Sequence, residues 1–243
     1  MYIDQEKCIG CQKCLNYCPV AAIEYSGRSK DQKAYAFINR DECVECAVCY
    51  RARVCPTDAF VQEALDWPRI LRSAFSDPFN PHKGTNVPGR GTEEMKTTDI
   101  TNRFPEGTIG IGLEFGRPGI GLRLKETEPV IRRLLESGIK LEPCNPLTEL
   151  ITDENTGQLK TDAANEKVLS AIVEFIAPLE QAEEVFDIIR EAAQATETVF
   201  SLDIVGKVSA DGSIPVMQEV EKAGLRVAPN GKVNVGLGRM VAK

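Results

Sequence analysis

The sequence predicts an α+β protein in three parts: a small cysteine-rich unit over residues 1–62, a long irregular arm over 63–106 and an α/β sandwich over 107–243. Three observations predict it. Eight of the nine cysteines lie before residue 56, in two runs embedded in an internal repeat. Prolines and glycines then interrupt every would-be element from Val61 to about Pro105. Beyond that point, alternating and helical periodicities give strand, helix and strand twice over.

The cysteine runs carry the chemistry. The first reads Cys8-Ile-Gly-Cys11-Gln-Lys-Cys14-Leu-Asn-Tyr-Cys18-Pro19, and the second Cys43-Val-Glu-Cys46-Ala-Val-Cys49, closed by Cys55-Pro56. Three cysteines two residues apart lie on one tight loop, so their sulfurs converge on three corners of a cubane while nearby peptide N–H groups stabilise the charge. A structural zinc site asks for paired C-x2-4-C ligands, and a C-x2-C-x2-C triple followed by C-P, given twice, fits zinc poorly. Disulfides fit less well still. The leading Met1-Tyr-Ile-Asp-Gln-Glu-Lys7 does not resemble a signal peptide, so a cytoplasmic location that keeps thiols reduced is expected.

The repeat extends past the cysteines. Tyr2-Ile3-Asp4-Gln5-Glu6-Lys7-Cys8 returns as Phe37-Ile38-Asn39-Arg40-Asp41-Glu42-Cys43, and Cys18-Pro19-Val20-Ala21-Ala22-Ile23 as Cys55-Pro56-Thr57-Asp58-Ala59-Phe60. Each half reads as strand, cluster loop, short helix and strand. On these residues the unit resembles the dicluster bacterial ferredoxins, whose C-x2-C-x2-C-x3-C-P run holds one cluster with three cysteines and lends the fourth to the other. The resemblance implies two 4Fe-4S clusters, one on Cys8, Cys11, Cys14 and Cys55, the other on Cys43, Cys46, Cys49 and Cys18. Exchange of the fourth ligand would lock together two halves that bury little apolar surface by themselves.

The second run departs from the pattern. Tyr50-Arg-Ala-Arg-Val54 separates Cys49 from Cys55, a longer spacer than the first run has, so the turn before Cys55 must bulge outward. A plain loop insertion explains it; a sharper reading is that Arg51 and Arg53 bring positive charge to the Cys8 cluster. Ile9, Leu15, Val20, Ile23, Val44, Val48 and Val54 are expected to shield the clusters from water.

Composition bounds the remainder. A hydrophobic share of 42% with 27% charged residues is ordinary for a soluble globular chain. The net charge of −7 argues against nucleic acid. The best apolar run, Val168 to Ala177, is too short for a membrane span and contains Glu174.

The arm keeps Trp67, Phe75, Phe79 and Phe104, anchors that a flexible linker would lack. It is expected to lie either on a partner subunit or on the chain's own second domain, with a short helix from Pro68 to Phe75. The polar stretch Gly89 to Arg103 suits a loop docked on a partner.

In the last part, Thr108–Phe115 alternates as a strand, Glu126–Ser137 has helical spacing and ends at Gly138, and Ile139–Leu141 begins another strand. Ser170–Ala177, a helix opened by Pro178, and Thr198–Val205 repeat the unit, giving the split βαβ, ferredoxin-like sandwich. A helix near 215–223 and a hairpin turning at Pro229-Asn-Gly231 would complete it. The Arg117-Pro118-Gly119 turn, the helix after it and the Gly138-Ile139 step resemble an ACT-type ligand-binding module. Gly116, Gly119 and Gly121 do not make a dinucleotide fingerprint, and turn chemistry accounts for them. Cys144 stands far from the motifs and reads as a buried structural thiol. His82 reads as a surface or partner contact.

No nucleophile and base constellation is visible. The expected function is therefore an electron-transfer subunit that relays single electrons through two 4Fe-4S clusters to or from a flavin-containing catalytic oxidoreductase partner. An external ferredoxin or flavodoxin-type protein would be its donor. In plan it is similar to the iron–sulfur subunits of flavoprotein oxidoreductases such as adenylylsulfate reductase. The alternatives are a ligand-responsive ferredoxin with an ACT-like sensor and a self-contained iron–sulfur oxidoreductase.

Overall fold

The structure is a computed structural model that describes residues 1–30, 32–80, 104–117 and 119–227. Its first 62 residues fold about the repeat. Strand β1 (Tyr2–Ile3) pairs antiparallel with β4 (Phe60–Val61), and β2 (Ile23–Ser26) with β3 (Tyr35–Ile38), so each half is closed by a strand of the other. Between these strands run the two cysteine loops, each followed by one short helical turn, Leu15–Tyr17 in the first half and α1 (Val48–Arg51) in the second. Ile3, Ile23, Ala36, Ala59 and Phe60 form the small core, with Cys8 and Cys14 among them.

The two halves share their backbone strain. Gly10 and Glu45, two residues after the first cysteine of each run, have φ of 66° and 53°; Gln12 and Ala47 follow at 62° and 55°; Ala21 and Asp58, three residues after the C-P cysteine, stand at 53° and 50°. Left-handed backbone is costly for side chains other than glycine, about 1–3 kcal/mol each, and is retained where the surroundings demand it. Here it winds each loop around its cysteines. Arg53, at φ 48°, has no counterpart in the first half and takes up the longer spacer before Cys55.

The larger core is built on β5 (Thr108–Phe115), the middle strand of a three-stranded antiparallel sheet. Between it and the later strands come the pairs β6 (Leu122–Arg123) with β9 (Lys167–Val168) and β7 (Ile151–Asp153) with β8 (Gln158–Leu159), with α3 (Glu128–Glu136) after β6. Strands β10 (Ala171–Pro178) and β11 (Phe200–Gly206) flank β5, placing Phe175 and Ile204 on either side of Ile111. Ile109, Ile111, Leu113 and Phe115 alternate along β5 and are fully buried beneath α3 and α4 (Ala182–Ala195). Gly138, at φ 75°, ends the turn after α3, a backbone state that favours glycine. A further helix, α5 (Pro215–Lys222), buries Val216 and Val220.

The strand expected from Ile139 is shorter than the sequence pattern suggested. It is a single bridge from Leu141 to Phe175, because the chain turns at once through Glu142–Asn145 and meets Pro143 and Pro146. Asn145 fills the inside of that turn, fully buried, with its Nδ2 donating to Glu174 at 2.6 Å. Cys144 consequently points outward. It is exposed, which corrects its expected burial.

The arm begins against its own chain. Helix α2 (Ile70–Ser76) starts two residues later than the pattern placed it and seats Leu71 and Phe75 in the larger core. Each such burial stabilises by about 1.5–3 kcal/mol. Phe104 is also buried and lies against Gly110, where an added Cβ would stand 2.9 Å from the ring. Trp67 and Phe79, by contrast, are exposed. His82, the polar stretch 89–103 and the hairpin turn at 229–231 lie outside the described residues. Among the described residues no helix is long and apolar enough to cross a membrane.

Candidate metal centres

Two cavities open inside the repeat, each walled by one set of four cysteines. Cys18, Cys43, Cys46 and Cys49 line one together with Val20, Val44 and other apolar residues. Cys8, Cys11, Cys14 and Cys55 line the second, with Ile3, Ala36 and Phe60 among its walls. The fourth cysteine of each set comes from the other half, because the β1–β4 and β2–β3 pairings bring each C-P corner beside the opposite loop. Among the described residues no group of three or more Cys, His, Asp or Glu is placed to hold a single metal ion.

Backbone donors reach the sulfurs. The N–H of Ala22 donates to Cys18 Sγ at 3.1 Å, that of Ala59 to Cys55 Sγ at 3.3 Å and that of Ala36 to Cys8 Sγ at 3.4 Å. Ala22 and Ala59 are equivalent in the repeat, and each is four residues beyond the cysteine that it serves. The donors stabilise a thiolate, while burial opposes it. Burial dominates in the cavity of Cys18, Cys43, Cys46 and Cys49, pushing Cys46 up to about 11 and Cys49 up to about 12 against an ordinary 9.0. Cys55 differs. Burial raises it, but the amides of Ala59, Thr57 and Asp58 and the Thr57 hydroxyl together hold it below its ordinary value. Proton release must accompany any metal binding at these thiols.

The two sets also differ in their exposure. Cys11 is open to solvent, and beside it Ile9 is 61% exposed, so Ile9 does not shield as expected. Val48 is likewise exposed, whereas Val44 and Ile23 are buried against the other cavity. Arg51 does not face the Cys8 set as expected from sequence. Its guanidinium donates to the Cys46 carbonyl at 2.6 Å and pairs with Asp77 at 2.9 Å, because the helical turn of α1 points it back over the second loop. Arg69, Arg72 and Glu45, absent from the sequence-based candidates, crowd the same loop. Only their helical spacing and an acidic residue between cysteines hinted at them.

Four thiols around each of two apolar cavities, with peptide donors aimed at sulfur, are the donor set of an iron–sulfur electron-transfer protein. The comparisons give the same answer. A family model described as a 4Fe-4S dicluster domain matches residues 1–62. An uncharacterized ferredoxin of Methanocaldococcus jannaschii is 36% identical over 59 residues, covering 24% of this chain and 71% of that protein. Ferredoxin-3 of Rhodobacter capsulatus is 29% identical over 84 residues, 27% of this chain and 81% of that protein. A probable iron–sulfur subunit encoded in the Frd operon of Proteus vulgaris is 34% identical over 71 residues, 25% of this chain and 45% of that protein. No solved structure matches the chain significantly. Through its first 62 residues the chain belongs to the ferredoxins with a 4Fe-4S dicluster domain.

Proposed function

We propose that this chain is the electron-relay subunit of an oxidoreductase, passing single electrons through two 4Fe-4S clusters to or from a flavin-containing catalytic partner. One cluster is held by Cys8, Cys11, Cys14 and Cys55, the other by Cys18, Cys43, Cys46 and Cys49. The observation that carries the reading is the pair of separate four-cysteine cavities. Bound there, each cluster supplies one-electron oxidation and reduction. The protein's own part is to hold the thiolates, aim the amides of Ala22, Ala36 and Ala59 at sulfur and exclude water with Val44 and Ile23.

The partner follows from what surrounds this unit. A ferredoxin that only diffuses needs little beyond residue 62, yet a second, larger core follows, reached by an arm. We read 1–62, 63–106 and 107–243 as cluster domain, arm and sandwich, the last a split βαβ fold whose outer strand has shrunk to the Leu141 bridge. The partial match to a protein described as a probable iron–sulfur subunit of an Frd operon supports a role as one subunit among others. Anaerobic affinity purification from the native host, with iron and flavin measured in the eluate, tests this. Co-purification of a stoichiometric flavin-bearing partner is expected. A lone chain carrying iron without a partner would contradict it.

A further inference from the structure

The Cys43 loop is gripped from outside the cysteine-rich unit as well as by the Met1 amino group on Glu45 and Arg51 on the Cys46 carbonyl within it. Arg72 of α2 is only 4% exposed, and its Nη1 donates to the carbonyl oxygens of Arg40 at 3.0 Å, Asp41 at 2.7 Å and Cys43 at 2.8 Å. Its Nε pairs with Glu166. One turn earlier, Arg69 pairs with the buried Glu45 at 2.6 Å and donates to the Arg40 carbonyl. Arg123 and Lys167, from the strand pair β6–β9, pair with Asp41 and Glu42. The Cys8 loop is held differently, from within its own unit: Gly10 rests on Ala34, and Lys33 donates to the Glu6 carbonyl.

We propose that Arg72 is a positioning residue that ties the Cys43 loop to the sandwich and raises the reduction potential of the cluster on Cys18, Cys43, Cys46 and Cys49 alone. The proposal rests on the ligand assignment above. Three carbonyls converge on one buried guanidinium. Without it the carbonyls of Asp41 and Cys43 would lose this donor in a site of low dielectric, while that of Arg40 would keep Arg69, and the loop would have to move to satisfy them. One of the three belongs to Cys43 itself, so the positive charge lies against the peptide of a ligand. Charge and hydrogen bonding around the sulfurs are the levers by which a protein sets such a potential. Positive charge favours the reduced, more negative state. Glu166, paired with Arg72, offsets part of that effect.

The test is a potentiometric titration followed by electron paramagnetic resonance on the full chain, purified anaerobically, with iron and sulfide counted in each variant. Arg72→Gln is expected to lower one of two potentials, Glu166→Gln to raise that same one, and Arg72→Lys to return part of the first shift. The other potential stays fixed. Cys18→Ser identifies the moving signal by abolishing it. Opposite signs from the two charge removals distinguish tuning from general loosening, which would move both variants alike. Should Arg72→Gln fail to fold, Glu166→Gln still decides, because an unmoved pair of potentials there overturns the proposal. Shifts in both clusters together overturn it as well. A wild-type chain with one cluster would overturn the ligand assignment beneath it, an outcome visible from iron content before any variant is made.

Discussion

Gly10 lies directly beneath the carbonyl of Ala34: a Cβ added to Gly10 would stand 2.5 Å from that oxygen, and its φ is 66°. The contact brings the loop of Cys8 and Cys11 against the strand that lends the Ala36 N–H to Cys8 Sγ. Gly10→Ala therefore meets both a clash and a strained backbone worth about 1–3 kcal/mol. Iron content is expected to fall by about half, from loss of the first cluster. The symmetry of the repeat sharpens the test. At Ala47, also left-handed at φ 55°, a glycine relieves strain, so Ala47→Gly should keep its full iron.

The exchanged fourth ligand separates the two sets by mutation. Cys11→Ser should abolish the centre of the cavity that Cys55 closes and Cys18→Ser that of the cavity walled by Cys43, Cys46 and Cys49, although Cys11 and Cys18 lie in the same run. Iron and sulfide analysis with spectroscopy reads the outcome. Loss of the same signal in both variants would show that each run serves a single cluster.

The larger core should melt independently of cluster chemistry. Ile131 is fully buried on α3, and Gly157 packs against it so closely that a Cβ there would lie 2.3 Å from its methyl. Ile131→Ala is expected to cost about 2–5 kcal/mol. Denaturant unfolding followed by far-ultraviolet circular dichroism measures that loss, and iron per folded chain should be unchanged.

Asp203 on β11 gives a pH signature. Although the residue as a whole is exposed, partial desolvation of its carboxyl first, and then the nearby Glu114, raise it above the ordinary 3.8, against a smaller lowering by Arg117. The folded state thus holds this proton more tightly than the unfolded chain, and the stability it gives is lost as pH rises from 3.8 through the folded value. At neutral pH the ionised group is a burden. Asp203→Asn should raise the melting temperature at pH 7 and lose that advantage below about pH 3.8. A variant less stable at pH 7 would refute the sign.

The cysteine spacing and the repeat made the first unit legible, including strands at Tyr2, Ile23, Tyr35 and Phe60, while the grouping of Cys55 with the first run came from the resemblance to the dicluster ferredoxins. The apolar periodicities of 108–115 and 170–177 and of the helix expected from Pro178 likewise announced the sheet and its covering helix, which run over 108–115, 171–178 and 182–195. What escaped was tertiary. Ile139–Leu141 has the composition of a strand, but two prolines follow within five residues and leave it one bridge. Cys144 is exposed because Asn145 beside it takes the inside of the turn, a choice made by Glu174 across the sheet. Of the two readings of the longer spacer, the one that puts Arg51 at the Cys8 set is not met, since spacing along the chain does not reveal which way a helical turn faces. Arg72 gave only its helical spacing with Arg69: its partners, at 40, 41, 43 and 166, become neighbours only once both cores have formed.

The central claim, two 4Fe-4S clusters on two four-cysteine sets that each span the repeat, is tested most directly by iron and sulfide analysis of the anaerobically purified chain beside its Cys55→Ser variant. The account predicts two clusters' worth of iron and sulfide in the wild type and half of that in Cys55→Ser, with loss of the signal that Cys11→Ser also removes. Loss instead of the signal that Cys18→Ser removes, or iron unchanged by the substitution, would contradict it.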